Sequence, residues 1–173
     1  MKHTVTAAAA LVAALALAGL ASASAGGTSR IVVESFSEDY AFSVDCAEFG
    51  PYAFEIEVEG HVKVRVTDVV SKDGDLLQTM IHVVFRETNT NSASGKSLPL
   101  HQAANEVWDY AANTRTISGA VFIGNAPGGK WVQDTGRITM TLDTRIASFV
   151  AGPHEAFFGG GLDTVACGAL ANA

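Results

Sequence analysis

The stretch Phe54-Glu55-Ile56-Glu57-Val58-Glu59-Gly60-His61-Val62-Lys63-Val64-Arg65-Val66-Thr67 carries the clearest structural signal in the chain. Phe54, Ile56, Val58, Val64 and Val66 alternate with charged or polar neighbours, the two-residue period of a strand with one buried face. Gly60-His61 interrupts the alternation, and the spacing predicts a hairpin with Gly60 to Val62 as a three-residue loop. In that register Glu59 opposes Lys63 and Glu57 opposes Arg65, while Val58 meets Val64 and Ile56 meets Val66 on the other face. A two-residue loop would set glutamates against valines. The charged ladder then forms a solvated outer face that resists edge-to-edge pairing.

The flanking sequence has the same character. Ile31 to Phe36 and Ala41 to Cys46 are β-rich runs separated by Ser37-Glu38-Asp39, and Leu77 to Phe85 alternates again after the turn Lys72 to Asp75. Short β-leaning segments follow at Glu106 to Ala111, Arg115 to Ile123, Ile138 to Leu142, Arg145 to Ala151 and Leu162 to Cys167. Eight or nine such strands, punctuated by turn residues, predict an all-β domain: an antiparallel β-barrel of about eight strands, with a β-sandwich as the alternative. Leu100 to Tyr110 has a second reading as a short helix. Glu87 to Ser97, rich in Asn, Thr, Ser and Gly, reads as an exposed loop.

Composition bounds the rest. The 173 residues carry 18 acidic and 11 basic side chains, a net charge of −7 with no basic block, which argues against a nucleic-acid partner. Lys2, an apolar run through Leu20 and Ala23-Ser24-Ala25 follow the plan of a secretory signal peptide. Residues 1–25 are therefore expected to be removed, leaving residues 26–173 as one secreted domain without a membrane anchor. Export favours oxidation, so Cys46 and Cys167 are expected to form a disulfide.

Several motifs tempt. Gly124 to Lys130 matches the start of a phosphate-binding loop, but Trp131 stands where the Mg²⁺-holding hydroxyl belongs, and a Pro-Gly-Gly turn between strands accounts for the same residues. His154-Glu155 reads as surface residues after a turn at Gly152-Pro153, and no serine has the surroundings of a nucleophile elbow. The eight carboxylates between Glu34 and Glu59 are too sparse for a calcium loop and read as a solvated face. His82 and Arg86 lie on one face of a strand, and Trp108 and Tyr110 share a face with Glu106. These four are the candidate ligand-lining residues if the barrel is hollow. No catalytic set, cofactor or metal site is expected.

A Phe42-to-Cys46 strand, then Gly136-Arg137-Ile138, Phe149-Val150-Ala151-Gly152-Pro153-His154 and a last cysteine at Cys167 follow one another along the chain. This order resembles a broad group of secreted bacterial proteins of similar size that have no established activity. The resemblance implies a closed antiparallel barrel, similar to those of allene oxide cyclases and dirigent proteins, which steer ring closure or radical coupling in an aromatic-lined barrel. The likeness to those enzymes is one of fold alone. The expectation is a binding barrel for a small apolar or aromatic molecule. The alternative is a cyclase or isomerase, and a third reading is a cell-surface or protein-interaction module.

Overall fold

A computed structural model describes residues 28–129, 131–154, 156 and 160–171, so the expected leader lies outside the described residues. Seven strands run in chain order as one antiparallel meander: β1 (Ser29–Asp45), β2 (Glu55–Val70), β3 (Leu76–Asn91), β4 (Ser97–Asp109), β5 (Thr114–Asn125), β6 (Trp131–Thr141) and β7 (Ala147–Ala151). A 3-10 turn at Cys46–Glu48 follows β1, and helix α1 spans Leu162–Ala171.

The expected hairpin is a single strand. Val58 and Val64 are six residues apart, so the alternation keeps its phase through Gly60, and β2 pairs without a break from Glu55 to Val70. Glycine at 60 leaves room for a ring: a Cβ there would collide with Tyr40, its cross-strand neighbour on β1. The glutamates of β2 therefore never meet Lys63 and Arg65 across a ladder. For the same reason β1 runs through Ser37-Glu38-Asp39, which pair with Lys63, Val62 and His61.

The residues Ile56, Val58, Leu98, Leu100, Phe122 and Val132 share one face of the sheet and are at most 3% exposed. They form one cluster with Ala166, Cys167, Ala169 and Leu170 of α1. We call this the covered face. The expected last strand is instead this helix. Leu162, Ala166, Ala169 and Leu170 fall at i, i+4, i+7 and i+8, a helical stripe built from strong helix formers.

This replacement is also why the predicted barrel does not close. β7 has five residues and pairs only with β6, α1 is the next element after it, and among the described residues no strand links β7 to β1. The sheet is open. Leu100 to Tyr110 is strand rather than helix for most of its length. The expected loop at Glu87–Ser97 shrinks to Ser92–Lys96, because Asn89 and Asn91 are buried at the end of β3. Their polarity is satisfied internally: Asn89 donates to Glu87, and Asn91 Oδ1 accepts from the amides of Ala93 and Ser94 at 2.9 and 3.0 Å.

Cys46 and Cys167 form the expected disulfide, fully buried, tying the turn after β1 to α1 across 121 residues. A cross-link closing so long a loop restricts the unfolded chain by about 4–5 kcal/mol on the entropy model. Reduction is predicted to lower the unfolding free energy by up to that amount, measured from the denaturant midpoint and slope together, since the reduced unfolded chain is more expanded. An unchanged midpoint after complete thiol alkylation would show that the bridge contributes nothing.

Candidate functional site

The sheet register sorts the polar side chains between two faces. On the covered face they bond to one another. Glu106 accepts from Arg115 Nε and Nη2 at 2.5 and 2.9 Å and also from the indole N–H of Trp108, whose ring lies 5.8 Å from the Arg115 guanidinium carbon. Both oxygens of Glu106 are thereby occupied. Tyr110 reaches Thr79 on this same face, with 3.1 Å between the hydroxyls. Nearer α1, the Tyr40 hydroxyl donates to Glu87 at 2.7 Å. Burial, then the hydrogen bond and negative charge of Glu87, push the Tyr40 phenol well above its ordinary value of 10.0.

His154 is buried, contrary to the surface position expected for it. Its Nδ1 lies 2.7 Å from Asp134 Oδ1, and its Nε2 donates to the Ala151 carbonyl at 3.1 Å. Both side chains are at most 2% exposed. The two distinctive segments of the sequence meet here. Gly136 and Gly152 adopt φ of 126° and 102°, and a Cβ on either would collide with the backbone of the other segment. The Thr135 amide donates to the Pro153 carbonyl at 2.9 Å. Gly-Arg and Ala-Gly-Pro-His thus hold the chain leaving β7 against β6, a structural latch.

The outer face is different. One register row crosses six strands through Ser35, Arg65, His82, Asn105, Ser118 and Arg137. The rows beside it add Lys63, then His61, Arg86 and His101. Across these rows and the Thr67–Met80–Val107 row on the other side, the only carboxylate among the described residues is Asp39, which His61 Nδ1 contacts at 2.6 Å. The acids of β2, Glu55, Glu57 and Glu59, sit further along the same face toward its N-terminal end. A chain with a net negative charge thus carries Lys63, Arg65, Arg86 and Arg137 on a stretch of sheet that holds one carboxylate.

A solvent-open groove of about 340 Å³ lies in this patch. Exposed Arg30, Val32, Arg65, His82 and Asn105 line it together with half-buried Thr67, Met80, Ile81, Val107 and Glu106, whose carboxylate is taken up by Arg115 and Trp108. His82 Nδ1 lies 2.9 Å from Asn105 Oδ1, which orients the ring. Neither guanidinium has an ion-pair partner among the described residues. Asp109, one row beyond, is committed elsewhere: the Ala112 amide and then the Gln78 side chain donate to it and hold its carboxyl below the usual range. A second open groove of about 390 Å³ is lined by Arg86, Thr88, Pro99, Leu100, His101, Ile123 and Glu87, the last accepting from Tyr40 and Asn89.

The four candidate residues are therefore divided. His82 and Arg86 line separate grooves on the outer face, whereas Trp108 and Tyr110 belong to the bonded cluster on the opposite face. Arg30, Arg65, Asn105 and Arg137 were missed by the sequence reading, which assigned Arg65 to a hairpin partner. The unbroken phase through Gly60 is the signal that brings Arg65 beside His82. No family model, curated protein or solved structure matches the chain.

Two outcomes test these assignments. Removing His154 takes a hydrogen-bond partner from the buried Asp134 and empties a packed site, so His154→Ala should lose about 2–4 kcal/mol of stability in denaturant titrations. A loss below about 1 kcal/mol would place His154 at the surface after all. For Tyr40, the raised folded-state value makes its contribution complete below about pH 10 and lost as pH rises further. Wild-type stability should therefore fall more steeply above pH 10 than that of Tyr40→Phe; parallel curves would contradict the burial of the phenol.

Proposed function

We propose that the protein is an exported binding module whose groove on the outer face holds a small organic anion. The observation that carries this is the unpaired Arg30 and Arg65 beside His82 and Asn105 in one concave site. Guanidinium groups present planar, paired donors that match carboxylate or phosphate oxygens, and Asn105 and Thr67 add hydrogen-bonding capacity. Val32, Met80 and Val107 supply apolar surface for the body of the ligand, in keeping with the apolar or aromatic molecule expected from the sequence.

Binding is favoured over turnover by the chemistry that converges. A cyclase or isomerase needs a group free to take or give a proton. In the groove Asn105 holds only His82 Nδ1, leaving Nε2 as a lone base, and the Glu106 carboxylate that could act as its acid partner is saturated by Arg115 and Trp108. Export is supported by the leader-like residues 1–25 and by the buried disulfide, a bond that persists in oxidising compartments. No helix among the described residues is long and apolar enough to cross a membrane.

2-Naphthoate and its uncharged analogue 2-naphthylmethanol provide the test. Naphthoate should raise the melting temperature of the disulfide-bonded protein, by the equivalent of about 2.7 kcal/mol at 100-fold excess over Kd, and the alcohol should not. Arg65→Ala should abolish the effect. Equal stabilisation by both compounds, or loss of the effect on Trp108→Ala rather than Arg65→Ala, would move the site to the other face.

A further inference from the structure

Resting on the anion-binding role of the first groove, we propose that the ligand is a chain, an acidic oligosaccharide lying across the sheet, of which that groove holds one unit. Arg65 on β2 and Arg137 on β6 belong to the same register row, four strand spacings apart. At about 4.8 Å per strand they are separated by about 19 Å, more than one small ring can span. The interval is filled by His82, Asn105 and Ser118, all with hydrogen-bonding side chains. The neighbouring row presents Thr116 and Thr139, their hydroxyls 3.0 Å apart. The second groove, with Arg86 and His101, lies four residues along β3 from His82, about 13 Å away, and widens the cationic area.

The composition of this face identifies the anion. Hydroxyls and amides outnumber the Lys and Arg side chains, as suits a ligand with many hydroxyl groups and occasional charges. A single-stranded nucleic acid would want aromatic platforms along its track, but neither groove is lined by an aromatic residue, and the exposed aromatics of this face, Phe149 beside Arg137 and Trp131, sit only at its β6–β7 edge. An anionic lipid surface is met best by a dense cluster of Lys and Arg, whereas the three central rows carry four such residues, Lys63, Arg65, Arg86 and Arg137, spread over the strands. Sparse cations set in a polar, grooved sheet fit a uronate-bearing glycan.

Oligogalacturonates of one, two, four and six units test this by calorimetry on the disulfide-bonded protein. Affinity should rise at least tenfold from the monomer to the hexamer, fall with added salt, and vanish for an uncharged galactose oligomer of equal length. Arg137→Gln should weaken the hexamer about tenfold and leave galacturonate unchanged, while Arg65→Gln should weaken both. Arg86→Gln provides a second variant should Arg137→Gln lower the melting temperature by loss of its contact with the Phe149 ring. Length-independent affinity together with naphthoate binding would overturn the chain proposal and spare the small-anion groove. Absence of binding by every anion, naphthoate included, would overturn both. Equal or tighter binding of an oligothymidylate, or of phosphatidylserine vesicles, would also overturn the assignment to a glycan.

Discussion

The structure depends on one constraint, the unbroken two-residue phase of β2 through Gly60. A strand has no freedom to change faces without a bulge or a turn, so keeping phase over Ile56, Val58, Val64 and Val66 commits all four to one side. The same rule lines up Glu55, Glu57, Glu59, Lys63 and Arg65 on the other. Had the chain turned at Gly60, the acids and bases would have neutralised one another across a ladder. Because it does not turn, the charges remain separated along the strand, with acids toward its N-terminal end and cations at its middle. Gly60 permits this by giving the Tyr40 ring a place to lie.

Covering the apolar side falls to the end of the chain. α1 buries Ala166, Cys167, Ala169 and Leu170 against residues from β2, β4, β5 and β6, and the disulfide fixes it to the turn that follows β1. The polar groups that share this face are consumed in pairs: Tyr40 with Glu87, Glu106 with Arg115 and Trp108, and Asp134 with His154. Buried polar groups must find partners, and these have found them within the fold. Among the described residues the outer face retains Arg30 and Arg65 without ion-pair partners, so the capacity to bind an anion resides there.

Much of this could be read from the sequence. The all-β class, the disulfide, the turn at Gly74 and the Pro-Gly-Gly turn before β6 all followed from local chemistry. Strand number did not, because Ser37-Glu38-Asp39 and Gly60-His61 look like breaks when only composition is weighed, although both keep phase. The helix was missed because Leu162 to Cys167 was matched to a strand, while the stripe that defines it needs Ala169 and Leu170 as well. Closure was misjudged for the same reason, since it counted that segment as a strand. His154 looked exposed because nothing near it in sequence announces Asp134, twenty residues earlier; only the positive-φ pair Gly136 and Gly152 lets the two segments come so close. His82 and Arg86 were rightly put on one face, but Arg65 and Arg137 join them through register, which depends on pairing over long distances.

The central claim is that the outer face, not the face covered by α1, receives the ligand. Backbone amide chemical shifts recorded during titration with galacturonate hexamer test it most directly. Perturbations should concentrate at Arg65, His82, Asn105, Ser118 and Arg137, crossing five strands along one register row. Perturbations centred on Glu106, Trp108 and Arg115, or scattered without regard to face, would contradict it.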